Sequence, residues 1–383
     1  MGNLPLVKSI KVSFIKTFTL TNFLEKFQDL DQQFNFLANS DDYSVYYKSL
    51  ELSNSSAEKK SKPETLVGFG SLTPLKRKHT LHSYWKYFRL TLESKVNNTN
   101  NELFLILPLK TKICTKSIHA ANQIIPINIY TYLFPFGSCC INMEANIPIL
   151  EDNNFSKLPK LISAIMTARI SDETWGGCFE SYSLHIVKKL NEALFADENG
   201  FIGEDKNIHT LVFLETEDFG LIVDGLDEKI AVVATMRRNS IEEISYQPLE
   251  KINEQIGCVL KTYHDDEIIL FTPLCTFIYP SFTCIKKKTT LRCMHDNYCS
   301  FLNVIFAVNK FLKDSFLVNK KLPENLPQKR VQEIAKCFTT SFPVSCEGYF
   351  NNAYFSELFD PIASKIGLDK RLEIIRSELN GRD

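Results

Sequence analysis

No apolar run in this chain approaches the roughly 20 residues that a membrane-crossing helix needs. The two most apolar, FLNVIFAV and NELFLILPL, stop well short. An excess of one charge is missing too: the formal net charge is -1, which argues against holding nucleic acid by overall charge and leaves only a local patch for that role. The opening stretch MGNLPLVKSIKVSF lacks a basic start followed by an apolar block, so a secretory signal is not expected. Leu6 stands where a myristoylated chain carries Ser or Thr, so acylation of Gly2 is not expected either. Catalytic strings are also wanting: there is no Walker A loop, G-x-G-x-x-G, H-E-x-x-H, EF-hand or G-x-S-x-G elbow. GFG at Gly68 is too short to be a phosphate loop. These absences lower the weight of several large enzyme families. The 11 cysteines form no dense framework but scatter through apolar segments, as thiols buried in a reducing cytosol would. The expectation is a soluble, cytoplasmic chain with no cofactor.

What is present is an ordinary globular composition, 44% hydrophobic and 23% charged. Its 29 phenylalanines point to aromatic-rich cores. At 383 residues the chain is too long for one ordinary core.

Hydrophobic periodicity gives an α+β organisation. Ile10, Val12 and Phe14 alternate with polar residues, as in a half-buried strand. A helix with Phe23, Leu24, Phe27, Leu30 and Phe34 on one stripe follows, then a polar loop from Leu50 to Glu64. Strands come next, including LHSYWKYFRLTLE, ELFLILPL and a hairpin turning at Pro135 and Gly137. Beyond PILEDNNFSKLPK the period becomes helical, with Leu158, Leu161, Ile162, Ile165 and Met166, and a second helix is read in SYSLHIVKKLNEALF. A second β-rich block ends in an apolar run broken at Pro273. From about His295 the pattern is helical: Phe301, Val304, Ile305, Val308, Phe311, Leu312 and Phe316 form a stripe, and Asp360 is read as the cap of a helix that begins at Pro361 and stops at Gly367. LDKRLEIIRSELN follows as an amphipathic helix. The expected architecture is two mixed α/β blocks in tandem, each with a hairpin, at residues 1–150 and 151–292, the second led by helices. A helical C-terminal region, 293–383, follows.

Five constellations carry candidate chemistry. Cys284, Cys293, His295 and Cys299 supply three thiolates and an imidazole, a set that suits zinc, although the close Cys-x2-Cys knuckle is missing. If residues 295 to 299 are helical, His295 and Cys299 share an apolar flank with Leu302 and Phe306, which favours burial. Lys286, Lys287, Lys288 and Arg292 precede that helix and form a candidate anion site; the plainer alternative is a solvated turn. Lys76, Arg77 and Lys78 lead into a strand on which Trp85, Tyr87 and Arg89 share one face, the cation and aromatic combination that single-stranded nucleic acid binds. The acids Glu215, Glu217, Asp218 and Asp224 could hold Mg²⁺ if they converged. Cys178 and His185 could pair as thiol and base, though a lone helix histidine is more often structural. Cys139 and Cys140, adjacent in a strand, point to opposite faces and are packing residues.

The leading expectation is a non-catalytic binding or regulatory protein that acts through protein-protein or ligand contacts, with a protein partner or homo-oligomer and no membrane. Two alternatives stand beside it: a nucleic-acid-binding protein using residues 76–89, and a metal-dependent hydrolase or nuclease.

Overall fold

The computed structural model describes residues 7–21, 109–134, 136–148, 158–171, 176–195, 199–203, 208–216, 258–261, 268–279, 288–314 and 353–380. The class is α+β, as the periodicity indicates. Its centre is β1 (Val7–Leu20), a 14-residue strand. On one side β1 pairs antiparallel with β4 (Ser138–Pro148), which continues through β3 (Gln123–Leu133) to β2 (Leu109–Ala120). β5 (Ile170–Ser171) and β6 (Gly176–Gly177) form a separate two-stranded ribbon. On its other side β1 meets β7 (Phe201–Ile202) and β8 (His209–Thr216). Among the described residues, β9 (Cys258–Lys261), β10 (Ile268–Phe271) and β11 (Cys275–Tyr279) complete a nine-stranded sheet in which only β8 and β11 run parallel.

Strands read as belonging to two successive blocks therefore lie in one sheet. The tandem arrangement finds no confirmation in it. Both Pro-marked hairpins are present. The first turns at Phe134 to Gly137, where Gly137 has φ +85° and the Gly137 N–H donates to Phe134 O at 2.9 Å. The second turns at Thr272 to Leu274. Its Thr272 hydroxyl accepts from the Cys275 N–H at 2.9 Å, a side-chain clasp on the turn.

Helices cover both faces of the sheet. On one face, α1 (Leu158–Thr167) packs against β2, and α2 (Phe179–Phe195) packs against β1 and β4. Phe14 meets Phe179 at 6.0 Å between ring centroids on this side. On the other face lies α3 (Lys288–Leu312), a 25-residue helix across β1 and β4. It is joined there by α4 (Ala353–Ile366) and α5 (Leu368–Asn380). Leu302, Ile305, Val308, Phe311 and Leu312 are buried in that contact, each contributing up to about 1.5–3 kcal/mol of transfer free energy. Among the described residues no helix is long and apolar enough to cross a membrane.

Three local expectations need correction. β1 is not half-buried: every described side chain from Ile10 to Thr21 except Lys11 and Thr17 is buried, Ser13 and Lys16 included, because helices cover both faces. The basic segment before His295 is not wholly a turn, since α3 begins at Lys288 and takes in Arg292 and Cys293. Asp360 is not a cap: α4 starts at Ala353 and carries Pro361 inside it. An internal proline removes one helix hydrogen bond and costs about 3 kcal/mol. Burial of Leu358, Phe359, Ile362 and Ala363 offsets that cost. The stop at Gly367 is as expected, with φ +70°.

Candidate anion-binding site

The residues singled out in sequence fall unevenly. Lys76, Arg77, Lys78, Trp85, Tyr87, Arg89, Cys284, Lys286, Lys287, Glu217, Asp218 and Asp224 lie outside the described residues. Glu215 sits in β8, and Lys288, Arg292 and Cys293 sit in α3, all with side chains outside the described part.

His295 and Cys299 are fully placed, and both are buried against the sheet. They begin a stripe of every fourth residue along α3, namely His295, Cys299, Asn303 and Ala307, which lies over a row of small polar residues on β1 and β4. His295 Nε2 lies 3.0 Å from Ser13 Oγ. The Asn142 amide donates to Cys299 Sγ at 3.1 Å. The Cys140 thiol donates to Asn303 O at 3.6 Å, and the Ser138 hydroxyl donates to Ala307 O at 3.1 Å. These bonds set the rotation of α3 on the sheet, since a turn of the helix about its axis would strand each buried polar group. Burial, with the neighbouring Cys299 as a smaller cause, pushes the Cys140 thiol up to about 12, while its bond to Thr17 acts the other way. Among the described residues no group of three or more His, Cys, Asp or Glu is arranged to hold a metal ion.

Cys178 precedes α2, one turn from Ser181 and separated from His185 by two turns. Its bond with Ser181 lowers the thiol from its ordinary value.

The described residues also line a half-open cavity of about 270 Å³ where the sheet, the end of α3 and the α4–α5 corner meet. The alternation of β1 turns Ile15 and Thr17 toward α3, and they form part of its floor. His209, opposite Ile15 at the start of β8, and Pro273 of the second hairpin complete that floor. A backbone carbonyl can only accept, so the 3.2 Å contact between His209 Nδ1 and Pro273 O places a proton on Nδ1. Nε2 then accepts from the Thr276 hydroxyl at 2.8 Å. Burial pushes the imidazole down to about 4, against the smaller opposing effect of the Pro273 carbonyl, and so His209 is neutral at pH 7. Its ring packs on Phe271 and on Phe306, with centroids 5.5 and 4.5 Å away.

The wall is made by helices. Phe306, Asn309 and Lys310 line the cavity from the last turns of α3, and Lys313 follows directly after the end of that helix. Lys365 and Ile366 end α4, and Arg371 comes from the first turns of α5. Arg371 Nη1 donates to Ile366 O at 2.8 Å and also to Asn309 Oδ1, tying the three helices together. Lys310 is buried and pairs with Asp314 at 3.1 Å. Four basic side chains thus converge on one cavity, and no carboxylate occurs among its described lining residues. Cations beside helix C-termini have a structural use, because each such end carries about half a negative charge. The ends of α3 and α4 together account for about one unit.

None of these four cations was singled out in sequence, where attention fell on the lysines at the opposite end of the same helix. The available signal was weak: Lys310 and Lys313 are three residues apart, while Lys365 and Arg371 come from a distant helical pair. No protein-family model matches the chain, and no curated protein or solved structure matches it either.

Proposed function

We propose that the protein is a non-catalytic, cytoplasmic binding protein whose ligand is a small anion held in the cavity between the sheet and the α3, α4 and α5 helix ends. The observation that carries this reading is the convergence of Lys310, Lys313, Lys365 and Arg371 on about 270 Å³ of space without a carboxylate among the described lining residues. Arg371 is oriented in advance by Asn309 and Ile366 O, so little ordering is needed when a ligand arrives. Binding without turnover is supported by the same lining: its described members include no thiol or carboxylate, and both nitrogens of its one imidazole are already engaged. A ligand site is favoured over an apolar docking face because, among the described residues, the exposed large apolar side chains Ile124, Leu184, Leu274 and Ile374 lie on different elements. The reducing compartment is supported by six described cysteines that are thiols rather than halves of disulfides.

Isothermal titration of the full chain with sodium phosphate, in a phosphate-free buffer at constant ionic strength, tests the proposal. Saturable binding at one site, weakened at least tenfold in Lys365→Gln, is the expected result. The proposal fails if phosphate and sulfate give only the heat of dilution, or if Lys365→Gln and Lys313→Gln bind phosphate as tightly as the parent chain.

A further inference from the structure

The cavity is larger and less uniform than an inorganic anion requires. Its 270 Å³ equals the liquid volume of about nine waters, far more than the five heavy atoms of phosphate fill. Its lining is also mixed in chemistry: four basic side chains stand beside Ile15, Pro273, Phe306, Ile366 and the neutral ring of His209, which supply apolar, aromatic surface. Small-ligand sites generally combine such an apolar lining with a few fixed polar groups, in volumes from about 300 Å³ upward. A free anion would leave the apolar part wet. Lys310 is held by Asp314, and a purely apolar ligand would leave Lys313, Lys365 and Arg371 facing it.

Resting on the anion-binding reading above, we infer that the ligand is a phosphate monoester carrying one flat ring: the phosphate lies among Lys310, Lys313, Lys365 and Arg371, and the ring lies against Phe306 and Pro273. A dianionic phosphate suits several cations better than a monocarboxylate does, and the guanidinium fork of Arg371 matches its geometry. A ring places flat apolar surface on Phe306 at small cost in ordering entropy.

The test uses titration calorimetry on the full chain with three probes: phenyl phosphate, inorganic phosphate and phenol. Phenyl phosphate is expected to bind at least tenfold more tightly than inorganic phosphate, and phenol is expected to give no saturable heat. Phe306→Ala should remove most of the tenfold advantage while leaving the inorganic phosphate constant within twofold. Ile366→Ala supplies a second variant on a separate helix, expected to cut the advantage at least twofold, should loss of Phe306 disturb folding. Equal affinity for phenyl phosphate and inorganic phosphate overturns the ring inference and leaves the anion reading standing. Absence of binding by every phosphate probe overturns both. An advantage that persists in both variants also overturns the ring placement.

Discussion

Replacing His209 with glutamine should flatten the acid limb of the stability profile. Folding places the imidazole among Phe271, Phe306 and the cavity floor, and its pKa falls from 6.5 to about 4 because burial disfavours the charged ring. Between those two values the unfolded chain binds a proton that the folded chain refuses, so stability falls as pH is lowered from 6.5 toward 4. Each unit is worth about 1.36 kcal/mol. The loss relative to pH 7 is therefore about 1 kcal/mol at pH 5.5 and about 2 kcal/mol at pH 4.5. Glutamine can still donate to Pro273 O and accept from Thr276 but does not titrate. Urea unfolding followed by circular dichroism at pH 7.0, 5.5 and 4.5, in buffers free of phosphate, gives the free energies. Whatever His209→Gln costs at pH 7 cancels when the difference between the two proteins is followed with pH, and the other six histidines are common to both. Relative to pH 7 the gap should close by about 1 kcal/mol at pH 5.5 and about 2 kcal/mol at pH 4.5. Two profiles that stay parallel within about 0.3 kcal/mol would refute the reasoning.

Three further outcomes are expected. Ser13→Ala removes the buried partner of His295 Nε2 and should lower stability by about 1–3 kcal/mol in urea unfolding at pH 7; a cost under 0.5 kcal/mol would mean that this bond does not hold α3 in place. A Cβ on Gly203 would lie 2.5 Å from Cδ1 of the buried Phe18 ring, so Gly203→Ala should cost about 1–3 kcal/mol through overpacking, and an unchanged thermal midpoint would contradict that contact. Brief iodoacetamide treatment of the native chain at pH 7.5 should modify Cys178, partly exposed and lowered by Ser181, while sparing Cys139, Cys140 and Cys275, whose thiols burial pushes up. Peptide mass spectrometry reads the sites, and equal labelling of Cys140 and Cys178 would count against the burial of β4.

Local pattern revealed most of the elements. The helical stripe from Phe301 to Leu312 became α3, the Pro273 break became the β10–β11 turn, and Gly367 ended α4. Such signals need only neighbours along the chain. The burial of β1 was not legible, because alternation of Ile10, Val12 and Phe14 looks the same whether the opposite face meets water or a helix. Only α3 shows that Ser13 faces His295, and 282 positions separate the two. The pattern at His295 and Cys299 did indicate burial, since Leu302 and Phe306 share their flank, yet the stripe through Asn303 gains meaning only opposite Asn142 and Cys140. The cavity was hidden for a similar reason. Lys313 and Lys365 look like ordinary surface lysines until the turn at Gly367 brings α5 back against α3.

The central place of β1 bears on how the chain is made. β1 is synthesised ahead of these partners: it finds β4 only after residue 138, β8 only after residue 209 and its α3 cover only after residue 288. At about 5–20 residues per second, Ser13 waits roughly 15–55 s for His295 to be added. Until β4 and β8 have been made, β1 lacks the partners of both its edges, which makes it a natural substrate for a chaperone. Any message truncated before α3 would release a product whose middle strand has no roof.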